Sequence, residues 1–140
     1  MAKRDLAELK IPASPSFIPV AKRVATTLGG QLGLSLVDLD ELSIALTQAC
    51  DSAIAAANDL GMASELKLTY FATNRALVVD VDLLPSGTAL PLTEAKHAEV
   101  DPELQRLAYE MIRCFVDDFR PVIEPRTGQL RFRMVKHLAG

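Results

Sequence analysis

Apolar residues recur with helical spacing in two neighbouring parts of the chain. The first part has an apolar residue every three or four positions, at Phe17, Val20, Val24 and Leu28. This pattern predicts a helix that begins at Ser16 as the N-cap and ends near Gly29-Gly30. A second helix, apolar on a broad face, is predicted from about Val37 to Asn58. Before both helices, Leu6 to Ile11 alternates loosely and stops at Pro12, which suits an edge strand.

The second half of the chain changes to the two-residue period of strands. Residues 65–71 and 76–82 alternate in this way around the turn Thr73-Asn74-Arg75, which predicts a hairpin. Residues 85–100 contain Pro, Gly and small polar residues and predict a long loop. A third helix is predicted to begin at Asp101-Pro102, and its apolar face comprises Leu104, Leu107, Ala108, Met111, Ile112 and Phe115. Two final strands are predicted at residues 119–123 and 130–135.

The predicted elements follow the order βααββαββ over a chain of 140 residues. Helices with one broad apolar face must cover a sheet, so the order predicts an α+β, two-layer sandwich with an antiparallel or mixed sheet. The length fits one domain over residues 1–140, and no internal stretch resembles a linker. Periodicity alone gives no further detail of the fold.

Composition and charge narrow the class of partner. A formal charge of −3 and a pI near 5.3 disfavour broad attraction to nucleic acid or to an anionic membrane. The N-terminal residues lack the apolar core of a signal peptide, and no apolar run reaches the ~20 residues that span a bilayer. We therefore expect a cytoplasmic protein with protein or small-molecule partners, no nucleic acid and no membrane.

The residues that could ligate metals are few and scattered. Cys50 and Cys114 each lie among apolar helical residues and are predicted to be buried free thiols. His97 and His137 stand apart from each other and from both cysteines. No spacing resembles a zinc site, so we expect no metal held by protein ligands alone.

Two stretches carry a resemblance to a known family. Leu42 to Ile54 resembles a helix that carries an E-x-x-x-N motif, and the stretch from Leu104 through Gly128 to Leu138 resembles the helix, hairpin and terminal strand that follow a glycine-rich lid. The family is that of anti-sigma regulatory serine kinases of bacterial partner-switching systems. It belongs to the superfamily that includes gyrase, heat-shock chaperone and histidine-kinase ATPase domains. The resemblance implies that fold: a mostly antiparallel five-stranded sheet with three helices on one face.

The resemblance also identifies where nucleotide-binding residues would lie. The family's Glu activates a hydroxyl and its Asn holds magnesium, and Gln48 and Ser52 stand at these positions. An amide cannot act as a general base, and a hydroxyl is a poor replacement for the amide oxygen. Asp51 adjoins this pair but points about 100° away from Ser52 on a helix. We therefore expect no catalytic residue, with Gln48 and Ser52 as degenerate equivalents.

Two further family motifs are altered. Asp82 is the nearest equivalent of the Asp in D-x-G-x-G, which contacts adenine, but the paired glycines are missing after it. The glycine-rich turn that cradles phosphate would fall at residues 103–107, which contain no glycine and begin with an acid, Glu103. We therefore predict no bound cofactor.

These residues lead to one function hypothesis and two alternatives. The first is a non-catalytic regulator that resembles an anti-sigma factor and binds a protein, with a sigma factor or an anti-sigma antagonist as the candidate partners. The second is a divergent but active serine/threonine kinase that uses ATP and magnesium, with Asp51 or another acid replacing the Glu. The third is a small-molecule sensor whose former nucleotide pocket has apolar walls such as Leu83, Leu84 and Leu107.

Two surface predictions complete the hypothesis. The edge strand at Leu6 to Ile11 could pair with a second copy to give a homodimer. Arg131 and Arg133 alternate on one face of the last strand and suggest either an acidic partner or RNA, or a solvated sheet face. The solvated face is the preferred interpretation, because the same alternation turns Leu130, Phe132 and Met134 inward.

Overall fold

Five strands form one antiparallel sheet in the order β1-β2-β3-β5-β4 in a computed structural model that describes residues 3–60, 64–85, 102–123 and 129–138. The elements are β1 (Arg4–Pro12), α1 (Ile18–Gln31), α2 (Leu36–Leu60), β2 (Ser64–Ala72), β3 (Ala76–Pro85), α3 (Pro102–Phe115), β4 (Asp118–Ile123) and β5 (Leu130–His137). This order confirms the predicted βααββαββ arrangement and the α+β sandwich.

The two faces of the sheet differ because strand side chains alternate. On β3, Val79, Val81 and Leu83 belong to the main hydrophobic core, whereas Asp80 and Asp82 lie on the opposite face. On β5, Leu130, Phe132 and Met134 are buried in the same core, as the two-residue period predicts. The helices therefore cover one face, and within the described residues no helix covers the second, which we name the open face.

Each helix covers a different part of the sheet. On the side of β1 and β2, the buried Tyr70 hydroxyl donates a hydrogen bond of 3.0 Å to the Ala21 carbonyl of α1. On the side of β4 and β5, the Tyr109 ring of α3 meets the rings of Phe119 and Phe132 edge-on, with centroids 5.4 and 5.5 Å apart. The long, largely buried α2 lies between α1 and α3 and contacts β3.

Three details differ from the sequence prediction. A 3₁₀ turn at Pro15–Phe17 precedes α1, and the Phe17 N-cap makes no side-chain cap bond, so the prediction of a Ser16 cap was wrong. β3 continues to Pro85, the first residue of the predicted loop, and residues 86–101 and 124–128 lie outside the described part of the chain. Cys50 is buried as predicted, but Cys114 is exposed because it lies on the solvent side of α3.

Candidate functional site

Lys136 fixes how α3 lies beside α2. Its ammonium group donates a hydrogen bond of 2.8 Å to the carbonyl of Phe115, the last residue of α3. The same nitrogen lies 3.8 Å from carboxylate oxygens of Asp38 and Glu41, in the first two turns of α2. The end of α3 therefore meets the beginning of α2, and the two helices run antiparallel.

Gln48 and Ser52 lie on the α2 flank that faces α3. Gln48 lies seven residues after Glu41, and Ser52 lies four residues after Gln48. The three residues therefore share one side of the helix. Both Gln48 and Ser52 are half-buried. Because the helices run antiparallel, helical rise places Leu107 of α3 near the level of Gln48 and Leu104 near that of Ser52. The structure thus brings the two predicted α2 residues together, opposite apolar residues of α3.

Asp51 lies beside this pair but turns toward solvent. Asp51 is exposed, but its carboxyl group is partly buried, and this burial raises the pKa of the carboxyl group. Burial is also the main reason that the pKa of the neighbouring Cys50 thiol rises to about 12, with the Asp51 charge adding to the effect. Asp51 therefore forms part of the rim of α2, one helical step outward from Gln48.

Asp82 lies on the open face of the sheet, away from α2. Its two carboxylate oxygens accept hydrogen bonds from Nε and Nη2 of Arg131 at 2.6 and 3.2 Å. The hydrogen bond to Asp82 is the main cause of a raised pKa at Arg131. The structure therefore joins Gln48 with Ser52 but places Asp82 on the other side of the sheet, where its carboxylate is already engaged.

The open face carries paired charges rather than an unbalanced basic patch. Arg133 binds Asp80 through two hydrogen bonds of 2.8 Å, and further pairs on this face join Lys67 to Glu8 and Arg120 to Asp118. Beneath them Phe71, Ala76 and Val78 form a small buried cluster. These pairs agree with the solvated-face interpretation of Arg131 and Arg133.

The residues that sequence reasoning missed are Asp80 and Lys136. The acids of β3 and the arginines of β5 both recur every second residue. If β3 and β5 are neighbouring strands, this spacing predicts that the acids pair with the arginines. The alternation that turns Leu130, Phe132 and Met134 inward also turns Lys136 inward, but the sequence gave no signal for its partners. Lys136 is a buried lysine on the helix-facing side of β5, and its partners come from α2 and α3.

A cavity of about 490 Å³ lies at the end of the sheet where β3 finishes and β5 begins. Its lining includes Leu83 and Leu84, two of the three residues predicted as walls of a recast pocket, together with Lys67, Asp82, Val122, Gln129, Leu130 and Arg131. Leu107, the third predicted wall, is on α3 and does not border it.

Within residues 3–60, 64–85, 102–123 and 129–138, no three His, Cys, Asp or Glu side chains lie close enough to hold a metal ion. In the same ranges, no helix is both long enough and apolar enough to cross a membrane.

Comparison with known proteins finds a partial similarity. The chain is 30% identical to serine-protein kinase RsbW of Bacillus velezensis over 50 residues. This match covers 36% of this chain and 31% of that protein. It is 26% identical over 66 residues to serine-protein kinase RsbW of Bacillus licheniformis, covering 47% and 41%. The matched regions thus span about a third to two-fifths of these relatives. No family model matches the chain.

Proposed function

We propose that this chain is a non-catalytic, protein-binding regulator of the anti-sigma type in a partner-switching system. The similarity to serine-protein kinase RsbW and the sandwich fold support the family assignment. One observation supports the proposal that the chain is non-catalytic. Asp82, the nearest equivalent of the family's adenine-binding Asp, pairs with Arg131 on the sheet face opposite α2. At the two α2 positions where the family has Glu and Asn, this chain has the amide of Gln48 and the hydroxyl of Ser52.

The chemistry of phosphoryl transfer explains why these residues matter. A kinase moves the γ-phosphoryl group of ATP to a serine hydroxyl, which loses its proton, and leaves ADP. A carboxylate takes up that proton, and an oxygen ligand holds the magnesium ion. Gln48 cannot accept the proton, and Leu104 and Leu107 offer no donor to phosphate oxygens. We therefore propose that the chain needs neither ATP nor magnesium for its action.

Calorimetric titration with magnesium and ATP tests this proposal. The wild type should give no saturable heat, whereas saturable micromolar binding would contradict the proposal and make phosphotransfer to a serine of an antagonist protein the next assay. The Gln48→Glu, Ser52→Asn double variant, measured in parallel, shows whether the two α2 positions alone prevent binding. Gln31→Glu is the matched control, since it adds the same charge at an exposed position at the end of α1.

The active-kinase alternative requires an acid at the correct position. Asp51 is the nearest acid on α2, but it lies on the solvent side of the flank that holds Gln48 and Ser52. Substitution by Asn would abolish phosphotransfer if Asp51 replaced the missing Glu. The small-molecule alternative draws on the cavity at Leu83 and Leu84, and a ligand that copurifies there would favour it.

The proposed homodimer uses β1, an edge strand of the sheet. An antiparallel pair of β1 strands centred on Leu9 would place Glu8 of each copy opposite Lys10 of the other, giving two ion pairs. Glu8→Lys should therefore shift the dimer toward monomer in sedimentation, and Glu8→Lys with Lys10→Glu should restore it. If both variants sediment like the wild type, β1 is not the interface.

A further inference from the structure

Four large apolar side chains are exposed around the cleft between α2 and α3. They are Ile44 of α2 and three residues of α3, with relative exposures of 42% for Ile44, 64% for Leu104, 53% for Leu107 and 44% for Met111. We name this surface the α2–α3 cleft. Single exposed apolar residues are common on proteins, but a contiguous group on one surface indicates an interaction site.

Helical spacing places these residues on the same cleft. Leu104, Leu107 and Met111 follow one another at intervals of three and four residues and form one stripe on α3. The other flank of α3 faces β4, since Tyr109 packs on Phe119 and the Arg113 guanidinium lies 5.4 Å from that ring centroid. The stripe therefore lies on the flank toward α2.

Ile44 completes the cleft from the α2 side. It lies four residues before Gln48 and seven before Asp51, so it occupies the boundary between the outer side of α2 and the flank that faces α3. The antiparallel arrangement fixed by Lys136 brings Ile44 near the level of Met111. The stripe and Ile44 together make an apolar strip about two helical turns long.

The border of this cleft is acidic. Asp40 and Asp51 are exposed on the outer side of α2, and Glu110 is exposed on the outer side of α3. On α3, Arg113 lies over the Phe119 ring of β4, and Arg106 is exposed one turn before Glu110, so the charges of α3 are mixed. Lys136 lies beneath, buried and already bonded to Phe115. Since α2 carries no Lys or Arg, the acidic border of the cleft lies along α2.

We propose that the α2–α3 cleft docks an amphipathic helix of a partner protein, with apolar residues on one face and Lys or Arg along the side that meets α2. A helix of this kind matches an apolar strip with one acidic border, because apolar anchors at i, i+3 and i+7 fill the strip while its cations meet the carboxylates of α2. A second copy matches poorly, since its own Asp40, Asp51 and Glu110 would face the same acids. The inference rests on the proposed function, which calls for a protein partner.

Two labelled synthetic helical peptides test the charge part of this proposal. Both carry leucines at the same i, i+3, i+4 and i+7 positions, and the flanking positions are all Lys in one peptide and all Glu in the other. Fluorescence anisotropy with the full chain should show saturable binding of the Lys peptide and at least about tenfold weaker binding of the Glu peptide. Equal affinity for the two peptides would overturn the proposal.

Variants of the cleft test its location. Leu107→Ser with Met111→Ser should weaken binding of the Lys peptide at least about tenfold. Val122→Ser is the matched control, because Val122 is an exposed apolar residue on β4, outside the cleft, and it should leave affinity unchanged. An equal loss in the control would overturn the proposal. Unchanged thermal unfolding would show that every variant is folded.

Two further measurements distinguish failure of the docking site from failure of the proposed function. Concentration-dependent self-association that the Leu107→Ser, Met111→Ser variant abolishes would mean that a second copy occupies the cleft, and would overturn the proposal. A titration with magnesium and ATP on the same sample tests the proposed function independently. Heat from ATP together with selective Lys-peptide binding would refute only the non-catalytic assignment, whereas no heat and no peptide selectivity would refute only the docking site.

Discussion

Arg133 holds the carboxylate of Asp80 with two hydrogen bonds of 2.8 Å and lies over the ring of Phe71, with its guanidinium carbon 5.4 Å from the ring centroid. The Asp80 side chain is only 6% exposed, although it lies on the face of the sheet that no helix covers. The arginine therefore closes the open face above a buried acid and a buried ring. The neighbouring pair of Asp82 and Arg131 is less covered, since its arginine is 52% exposed.

Removing these two arginines should have unequal effects on stability. Arg133→Gln leaves a nearly buried carboxylate without its bidentate partner and should lower the free energy of unfolding by about 1–3 kcal/mol. Arg131→Gln should cost less than Arg133→Gln, because half of the Arg131 side chain is exposed and water screens its pair with Asp82 more strongly. Urea unfolding of both variants measures the difference. Equal losses would mean that Asp80 is no better shielded from water than Asp82.

The two glycines at the end of α1 should respond to alanine in opposite directions. A Cβ at Gly29 would lie 2.7 Å from Cδ2 of Leu39 and 2.9 Å from Cδ1 of Leu34, so Gly29→Ala must displace core side chains. We expect a loss of about 1–3 kcal/mol. A Cβ at Gly30 would have no atom of the described residues within 4 Å, so Gly30→Ala should stabilise the helix by about 0.5–1 kcal/mol. Thermal unfolding of both variants would show whether the effects differ in sign.

The fold was predictable because periodicity and packing agree in nearly every element. The apolar stripe of α1, the broad apolar surface of α2 and the alternation in β2 and β3 each predicted the observed element to within a few residues. The order of elements then restricted the architecture to a sheet covered by helices. The family resemblance added the antiparallel arrangement, which periodicity alone left open.

The candidate site was predictable only in part. The four-residue spacing of Gln48 and Ser52 was enough to place both on one flank of α2. The alternation of β3 was also enough to predict that Asp82 lies on the sheet face away from the helices, because a strand that turns Val79 and Val81 inward turns Asp82 outward. The part played by Lys136 could not be read from sequence, since its contacts join residues about 20 and 100 positions away.

Lys136 should be more important for stability than an exposed lysine in an ion pair. Lys136→Met removes the hydrogen bond to the Phe115 carbonyl and leaves Asp38 and Glu41 without their shared cation. We expect the free energy of unfolding to fall by about 1–3 kcal/mol. Lys67→Met is the control, because its pair with Glu8 is far more exposed than Lys136, at 35% and 55% for the two side chains, and should contribute less than about 1 kcal/mol.

Hydrogen exchange would locate the effect of Lys136→Met. The amides of α3 should lose protection relative to those of β2 and β3, because the lysine joins α3 to α2 while the strand pairs remain intact. A uniform loss across α3, β2 and β3 would instead indicate that the substitution weakens the whole core, and would contradict the assignment of Lys136 as a link between the two helices.

The two cysteines should differ sharply in reactivity. The Cys50 thiol is buried, and its pKa of about 12 keeps it protonated at pH 8, whereas Cys114 is exposed on α3. A thiol reagent at pH 8 should therefore modify one cysteine per native chain and two after unfolding in guanidinium. Cys114→Ser should abolish the native reaction, and Cys50→Ser should leave it unchanged. Rapid modification of Cys50 in the native protein would mean that the core around α2 opens readily to solvent.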